Sequence, residues 1–353
     1  MTIDVFVYFA ALAFMLVLSV VKERRDLKTI WLFLLVGSIL LLIFDKAYVV
    51  FTMITAAKVL AASMGAAFLF RLALRHFVPA DLVKEVVTLP LTAAFGLLVI
   101  LITALTGIFA PWIAPFGEAE IVTSSFAPAD QIHLLGSDQL GRDMFSRIVY
   151  GARNSVGLAF AATCLAFFVG ASAGLMAAVK GGWFDQIAGR LADVIMSVPS
   201  LIFALLILSI FGTSIFVIIL VAAAIYSPRV FRLARAVGRN TVVMEFIEAA
   251  RLRGEGDWYL IRREILPNTT APLIAELGLV FCYVFLLIAG LSFLGLGLQP
   301  PTADWGSMVR ENAALISFGD VTPLIPASAI ALLTISINFV VDWMLHRTSG
   351  LKE

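Results

Sequence analysis

The side chains that most often do chemistry are few in this chain and stand apart. His76, His133 and His346 are its three histidines, and each lies on a loop or near the end of an apolar run. Cys164 and Cys282 both lie inside apolar runs, where we expect small packing residues and neither a disulfide nor a metal site. The sequence contains no serine–histidine–aspartate set, no metal-spaced histidine cluster and no phosphate-binding glycine loop. It therefore predicts neither enzymatic catalysis nor ATP binding by this chain.

Two carboxylates are notable because they fall inside apolar runs. Asp193 and Glu276 each lie a few residues inside a predicted span, near its cytoplasmic end. Ionisable residues within a membrane mark functional sites by default, but at this depth we expect a snorkelling side chain or an ion pair with a nearby arginine. An ion-coupled carrier needs carboxylates near the middle of the membrane, and the central spans have few. A secondary transporter therefore remains an alternative that the sequence disfavours.

The composition is that of a membrane protein. Hydrophobic residues make up 61% of the chain and charged residues 14%, against about half and about a quarter in a soluble domain. Several apolar runs reach the ~18 residues that a spanning helix requires. The net charge of +1 gives no indication of nucleic acid binding. The sequence predicts an all-α polytopic membrane protein whose main surroundings are the lipid bilayer.

Length and hydropathy together predict about nine spanning helices. The predicted spans are residues 5–21, 30–44, 49–74, 87–113, 156–179, 192–211, 214–226, 271–298 and 324–345. The first apolar run lacks a basic segment before it and a small-residue cleavage site after it. We therefore expect a retained span there and not a cleaved signal peptide.

The distribution of lysine and arginine predicts the orientation of these spans. Basic residues concentrate in the connections 22–28, 71–84, 180–190 and 229–263 and at the C-terminus. Nine alternating spans place all of these segments on one side, which the positive-inside rule identifies as the cytoplasm. The N-terminus is then expected outside. Three arginines between residues 142 and 153 fall on the outer side, as a structured loop can allow.

The longest strongly charged interval, residues 227–268, lies between apolar runs. Residues 242–253 favour or tolerate a helix, which Asn240 or Thr241 can cap. Three- and four-residue spacing places four apolar residues on one face of this helix: Val243, Phe246, Ile247 and Ala250. A structured element therefore projects from the membrane here.

The second half of this interval predicts a turn and a return helix. Gly254 is placed for a left-handed C-terminal cap. Asp257 can cap a second short helix over residues 258–264, which Pro267 is expected to stop. On periodicity alone, an arginine-rich helix that lies on the lipid headgroups fits equally well. The residue pattern distinguishes the two interpretations.

The interval resembles a known functional element. Glu248 and Arg251 are three residues apart and can pair on one helix face. Glu-Ala-Ala, three residues, Gly, and further on Ile-Leu-Pro-Asn together resemble the cytoplasmic coupling loop, or EAA motif, of binding-protein-dependent ABC transporter permeases. The corresponding positions are Glu248, Ala249, Ala250, Arg251, Gly254, Asp257, Ile265, Leu266 and Pro267. Glu264 stands where the family often has an apolar residue. The resemblance implies a helix that seats in a groove of a nucleotide-binding subunit.

A second pattern lies outside the membrane on the predicted topology. Gly136 and Gly141 flank turns, and Asp138, Arg142 and Asp143 can form a local charge network. A structured loop that contacts nothing else explains these residues as well. The stretch from residue 135 to residue 155 resembles the outer segment of the dipeptide/oligopeptide/nickel branch of these permeases, which implies a gate region near a docked solute-binding protein.

A third pattern resembles the same branch. It begins at Gly290 and ends at Pro301, followed by Trp305, a residue suited to a membrane interface. Its glycines and prolines permit helix breaking or close approach: Gly290, Gly295, Gly297, Pro300 and Pro301. A glycine- and leucine-rich span is by itself usually a packing feature, but three such patterns in this order are specific.

Taken together, the resemblance covers the chain from about residue 86 onward. It implies a six-helix type I ABC importer permease core at residues 80–353, with about three extra transmembrane helices in an extension at residues 1–79. It also implies partners: a second homologous permease subunit, two ATP-binding subunits that hold ATP and magnesium, and an extracytoplasmic solute-binding protein. This chain needs no cofactor, and its location is the inner membrane. A membrane scaffold assembled by the N-terminal helices remains an alternative, and the solute is unspecified.

The division at residue 79 can be tested by deletion. Removing residues 1–78 should leave solute uptake largely intact, because the implied core carries the whole pathway. Uptake into cells that express the truncated chain with its companion subunits measures this. Loss of uptake from a truncated chain that still inserts and assembles would contradict the proposed core.

Overall fold

Helices make up nearly all the regular secondary structure of the described residues, and residues 114–143 form a long non-helical connection. A computed structural model describes residues 46–77, 89–318, 320 and 322–348. Within these ranges, five helices are long and apolar enough to cross a membrane, or six if one sharply bent pair counts as a single span. This agrees with the predicted six-helix core. The predicted spans 5–21 and 30–44 lie outside the described residues.

The described residues form twelve α-helices, α1 to α12 in chain order. They are α1 Lys46–Phe77, α2 Leu91–Ile108, α3 Ala110–Ile113, α4 Met144–Lys180, α5 Gly182–Ser197, α6 Ser200–Phe211, α7 Ile215–Val242, α8 Glu245–Leu252, α9 Asp257–Tyr259, α10 Leu266–Phe293, α11 Trp305–Asn312 and α12 Leu324–Thr348. A π-helical turn, Leu260–Ile265, joins α9 to α10, and a 3-10 helix, Ala313–Phe318, follows α11.

Most of the predicted spans that fall within the described residues are confirmed as helices, but several of their ends are wrong. Helix α7 continues 16 residues beyond the predicted end at residue 226, and Pro228 lies inside it. Hydropathy marks where a helix leaves the membrane, whereas helical hydrogen bonding continues as long as the residues permit it. The arginine-rich stretch after Pro228 is a good helix former, so it and the apolar part of α7 form one continuous helix.

The predicted span at residues 192–211 is not one continuous helix. Two helices occupy this region, α5 and α6, and their axes are bent by 88°. The break falls at Val198, whose backbone is extended, immediately before Pro199. Proline disfavours the helical conformation in the residue before it and cannot donate a helical hydrogen bond. Continuous hydropathy across the break concealed the bend.

The largest packing contact joins α4 to α7, and glycines make it close. A Cβ atom on Gly174 would lie 2.6 Å from the Phe231 carbonyl oxygen and 2.8 Å from the Ala234 Cβ. On α7, a Cβ on Gly238 would lie 2.8 Å from the Ala178 Cβ. Small residues let helix backbones approach each other in membranes, where dispersion contacts replace the hydrophobic effect. The two helices therefore form the rigid centre of the bundle.

Helix α1 packs on the outside of this bundle. Its Ala67 is buried against Leu89, Ala93 and Ala94 at the start of α2. The Arg71 guanidinium donates a hydrogen bond to the Leu89 carbonyl oxygen at 3.0 Å. Helix α2 in turn packs against α12 and α4. The described part of the N-terminal extension thus adheres to the periphery of the core.

The α4–α7 contact gives a stability prediction. Gly174→Ala should lower the thermal unfolding midpoint of the detergent-solubilised protein, because the new methyl group must push α7 away at a cost of about 1–3 kcal/mol. Gly157→Ala is the matched control, since its Cβ would meet nothing within 4 Å on the same helix. It should be neutral or stabilising through helix propensity. Equal midpoints for the two variants would refute the close contact.

Candidate functional site

The first candidate site is the charged segment between α7 and α10. Helix α8 begins after Met244, so Asn240 and Thr241 do not cap it as predicted. Both residues belong to the last turns of α7, where the Thr241 hydroxyl donates to the Val237 carbonyl oxygen at 3.1 Å. The cap prediction failed because α7 runs longer than its hydropathy indicates. Glu245 and Glu248 occupy the first turn of α8, where the helix dipole favours them.

Only half of the predicted apolar face of α8 is buried. Ile247 and Ala250 are fully buried in a cluster with Leu175 of α4, Ala234 of α7 and residues of the π-helical turn. Val243 and Phe246, predicted to share that face, are exposed instead. Val243 lies before the helix, where the helical spacing does not apply. Helix α8 is therefore anchored to the bundle by two residues and presents other apolar side chains outward.

Gly254 ends α8 as predicted. Its φ angle is +83°, in the left-handed region, and a Cβ there would meet no atom within 4 Å. The Gly254 N–H donates to the Arg251 carbonyl oxygen at 2.9 Å, and the Glu255 N–H donates to that of Ala250 at 3.2 Å. This pair of bonds is the Schellman motif. Glycine is therefore required by the backbone conformation and not by crowding.

The return from α8 differs from the prediction. Asp257 opens a helical stretch but makes no capping hydrogen bond, and Gly256 occupies the cap position. The stretch does not stop at Pro267, which lies in the first turn of α10, where its missing N–H costs nothing. Ile265 is buried and Leu266 is exposed. The segment around α8, residues 243–265, is thus continuous with α10 through the π-helical turn; we call it the coupling segment after the resemblance noted above.

The outward side of this segment is apolar as well as charged. Leu252 is 84% exposed and Val243 82% exposed, and Trp258 is also largely exposed. Glu248 is exposed too, and its predicted pair with Arg251 is not among the ion pairs of the described residues. Exposed apolar side chains gathered on a short segment are typical of a surface that contacts another protein or the membrane. We call Val243, Met244, Phe246, Leu252 and Trp258 the apolar patch.

A cavity lies beside the coupling segment. It has a volume of about 520 Å³ and is lined by Arg251, Asp257 and the turn at residues 179–184. The Arg251 guanidinium is 3.5 Å from the Val179 carbonyl oxygen at the end of α4. The side of α8 that carries Ile247 and Ala250 therefore contacts the bundle, and Arg251 borders the cavity.

The second candidate site is a buried charge cluster at the opposite end of α4. Arg142 Nε donates to Asp138 Oδ2 at 2.6 Å, and Arg147 Nε lies 3.3 Å from the same oxygen. Both guanidinium groups also reach Glu311 Oε2 of α11, at 2.9 Å and 3.2 Å. The exposed fraction of each of these four side chains is 6% or less. Two positive and two negative charges therefore compensate each other away from water.

The predicted charge network here is correct for Asp138 and Arg142 but wrong for Asp143. Asp143 instead caps α4 by accepting from the Ser146 N–H at 2.7 Å, and its other oxygen lies 3.2 Å from His133 Nδ1. An aspartate immediately before a helix start is drawn to the free N–H groups there. Glu311, 169 residues from Arg142 along the chain, carries no signal in the sequence that predicts this contact.

The predicted turn glycines of this outer segment are confirmed. Gly136 and Gly141 have φ angles of +73° and +79°. A Cβ on Gly136 would lie 2.6 Å from the Ala127 carbonyl oxygen, so both conformation and space require glycine. Nearby, the backbone N–H groups of His133 and Ile132 donate to the Asp130 carboxylate and hold its pKa below the usual value.

The third pattern folds back onto this cluster. After α10 ends, Gly295 adopts a left-handed φ of +89° and Pro300–Pro301 is a cis peptide. A Cβ on Gly297 would overlap Ser292, so the chain passes close to the helix end there. No atom lies within 4 Å of a Cβ on Gly290, so the close approach expected of this residue is absent.

Trp305 does not lie at a membrane interface as predicted. It is buried at the start of α11, where its indole Nε1 donates to the Ile148 carbonyl oxygen at 3.0 Å and a Cβ on Gly151 would overlap its ring. Asp304 caps α11 and accepts from the Ser155 hydroxyl of α4 at 2.8 Å. The second and third patterns are therefore two halves of one outer lobe built around the start of α4.

Arginines of α7 form four further ion pairs among the described residues. Arg232 pairs with Asp193, and Arg229 Nε donates to Glu276 Oε1 at 2.6 Å, so the predicted ion pairs of both intramembrane carboxylates are confirmed. Arg235 and Arg239 both pair with Asp185 of α5. The sequence analysis missed Asp185, because nothing in its local spacing points to α7.

The described helices and their polar ends define a class: a multi-pass helical membrane protein with a charged segment between α7 and α10 at one end of the bundle and a structured lobe at the other. Residues 167–348 match the family described as Binding-protein-dependent transport system inner membrane component. The chain belongs to this family. Within it, the chain is a permease subunit of an ABC importer in the inner membrane, and the family implies an ATPase and a solute-binding protein as partners.

Individual relatives support the same assignment. The chain is 35% identical over 251 residues to a dipeptide transport system permease protein of Alkalihalophilus pseudofirmus, covering 71% of this chain and 83% of the relative. It is 34% identical over 257 residues to the dipeptide transport system permease protein of Haemophilus influenzae, covering 71% and 87%. It is 35% identical over 262 residues to a glutathione transport system permease protein of Escherichia coli, covering 71% and 83%.

The buried charge cluster gives a prediction. Glu311→Gln should destabilise the protein by about 3–5 kcal/mol, because it leaves two buried guanidinium groups against one carboxylate. Thermal unfolding of the purified protein and protease sensitivity of the outer lobe both measure this. Arg153→Gln removes an exposed charge from α4, the helix that carries Arg147, and should change neither. A Glu311→Gln variant as stable as the Arg153→Gln control would show that the four charges do not act together.

Proposed function

We propose that the chain forms half of the translocation pathway for a peptide-like solute and couples it to ATP hydrolysis in separate subunits. The assembly would contain a second homologous permease subunit, two ATP-binding subunits that hold ATP and magnesium, and an extracytoplasmic solute-binding protein. The observation that carries the coupling role is the apolar patch on the segment around α8. Such a patch is unfavourable in water and favours a protein partner.

The contacts of α8 with the bundle support a role in transmitting motion between a bound partner and the spanning helices. Buried Ile247 and Ala250 join α8 to α4 and α7, and the π-helical turn joins it to α10. A partner that moves α8 therefore acts on three spanning helices at once. ATP binding can shift the pathway between states only through contacts that differ between those states, and Glu248–Gly254 is the proposed place for them.

The names of the relatives support the solute class. Those relatives transport dipeptides and glutathione according to their names, and glutathione is itself a peptide. The proposed boundaries are a permease core at residues 80–353 and an extension at residues 1–79. In the proposed orientation the coupling segment and the C-terminus are cytoplasmic and the N-terminus is outside, consistent with the arginines near the end of α7.

The coupling role predicts a separation of assembly from transport. Glu248→Lys or Gly254→Leu should leave membrane insertion intact but reduce uptake and transport-linked ATP hydrolysis by more than about tenfold, the equivalent of about 1.4 kcal/mol of lost contact. Glu248 is exposed, so charge reversal acts on the partner contact, whereas leucine at Gly254 strains the left-handed turn. ATP hydrolysis by the reconstituted complex and uptake into cells give the two readouts.

Glu120→Lys makes the same charge reversal at an exposed residue of the outer segment. It controls for the effect of one added positive charge on expression and insertion. A Glu248→Lys variant that assembles, transports and stimulates ATP hydrolysis like the wild type would refute the coupling assignment.

A further inference from the structure

Four polar side chains meet between α7 and α10, away from the coupling segment and the outer lobe. Arg229 Nε donates to Glu276 Oε1 at 2.6 Å, and the Arg229 guanidinium carbon lies 4.6 Å from the centre of the Tyr283 ring. The Tyr226 hydroxyl donates to the Tyr283 carbonyl oxygen at 3.2 Å, and the two rings stack with 6.2 Å between their centres. We call these four residues the tyrosine–arginine cluster.

The cluster lies deep in the membrane-spanning length. Tyr283 precedes Phe293, the last residue of α10, by ten residues, which is about 15 Å along a helix. That is half of a hydrocarbon core about 30 Å thick. Glu276 lies two helical turns closer to the cytoplasmic end on the same helix. The cluster therefore extends from the middle of the membrane into its inner half.

Part of the cluster is exposed at this depth. The side chain of Arg229 is 41% exposed, and that of Glu276 only 11%; Tyr283 is 41% exposed. A charged residue that faces lipid costs about 2.5–3.5 kcal/mol or more at the centre of a membrane, and such residues usually face a water-filled space. Exposed residues on α2 and α4, such as Ile102 and Phe168, are apolar. Leu220 and Leu286 are exposed on α7 and α10 as well, so the polar surface is confined to the cluster, where a charged group favours an aqueous path over lipid.

The sequence of α10 extends this face upward. Glu276, Tyr283 and Gly290 are spaced by seven residues, which places them on one side of a helix. A Cβ on Gly290 would meet no atom within 4 Å, so this glycine, which makes no close contact within the chain, borders open space above Tyr283. A polar and narrow strip thus runs along α10 from the cluster toward the outer lobe.

We propose that the tyrosine–arginine cluster is a solute-contacting station on the translocation path, where the Arg229 guanidinium binds a carboxylate of the solute. Arginine presents five N–H donors in a planar fork that matches a carboxylate. Glu276 accepts from Nε and fixes the group, while the exposed part of the guanidinium keeps donors for the solute. Every linear peptide with a free C-terminus carries such a carboxylate, so the proposal rests on the proposed function and names what the pathway recognises.

Pairing with Glu276 lowers the affinity of the station for a carboxylate to a level that permits release. An unpaired arginine in a low-dielectric path would hold a carboxylate tightly, and a transport site must release what it binds. With Glu276 present the empty station is neutral, so that it attracts the solute only moderately. The Tyr226 and Tyr283 rings supply a surface for uncharged parts of the solute.

Thiol accessibility tests whether the cluster borders water. In a Cys164→Ala/Cys282→Ala background of the assembled transporter, Tyr283→Cys should react with a membrane-impermeant, anionic methanethiosulfonate reagent at least tenfold faster than Ile102→Cys. Ile102 is exposed near the middle of α2, which packs against α1, α4 and α12. Excess trialanine should slow the labelling of Tyr283→Cys. Equal labelling of the two positions would overturn the proposal.

A charge-neutral double variant tests whether Arg229 does more than neutralise Glu276. Arg229→Gln/Glu276→Gln removes both charges together, so no uncompensated charge remains. Uptake of radiolabelled trialanine by the complete transporter should fall at least tenfold in the double variant, and Arg229→Lys should retain part of the uptake. Near wild-type uptake by an assembled double variant would overturn the proposal. If the wild-type complex takes up no peptide, the proposed solute class fails, while the labelling rates still decide whether the cluster borders an aqueous path.

Discussion

The close packing of α4 against α7 holds the two ends of this molecule in one frame. Glycines at the contact, with Gly174 against Phe231, bring the two backbones together where side chains would separate them. Helix α4 begins in the outer lobe and ends beside α8, and α7 carries the arginines that reach α5 and α10. In a bilayer, where lipid is as apolar as the helix surfaces, such contact and hydrogen bonding supply most of the association. Each functional surface is therefore attached to the same pair of helices.

Charge compensation is the second constraint, and it operates at three levels of the structure. The lobe at the start of α4 buries Arg147 with Glu311, Arg229 of α7 pairs with Glu276 of α10, and Arg239 near the end of α7 pairs with Asp185. At each level the partner comes from a different element, so the pairs also fix how the elements sit against one another. The buried cluster of the outer lobe does this most strongly, because an unpaired charge there has no access to water.

One side of the proposed coupling segment packs against the bundle, and the other side is exposed. Ile247 is buried and Gly254 sets the turn, whereas Leu252 is left exposed. The tyrosine–arginine cluster lies on α7 and α10, the two helices that flank this segment. Helices α7 and α10 thus connect the proposed site of ATPase contact to the proposed solute contact.

The amino-acid sequence alone predicts the helical membrane class, five of the core spans, the turn at Gly254 and the family. These follow from local properties: apolar length, the conformational preference of glycine, and short residue patterns. Tertiary structure decided what local properties do not contain. Helix α7 continues beyond the end of its apolar run at residue 226, and the chain bends next to Pro199. Trp305, expected at an interface, is buried in the protein interior. Tertiary structure also brought Glu311 to Arg142 and Tyr283 to Arg229, because helices distant in the chain meet only where packing and charge compensation bring their faces together.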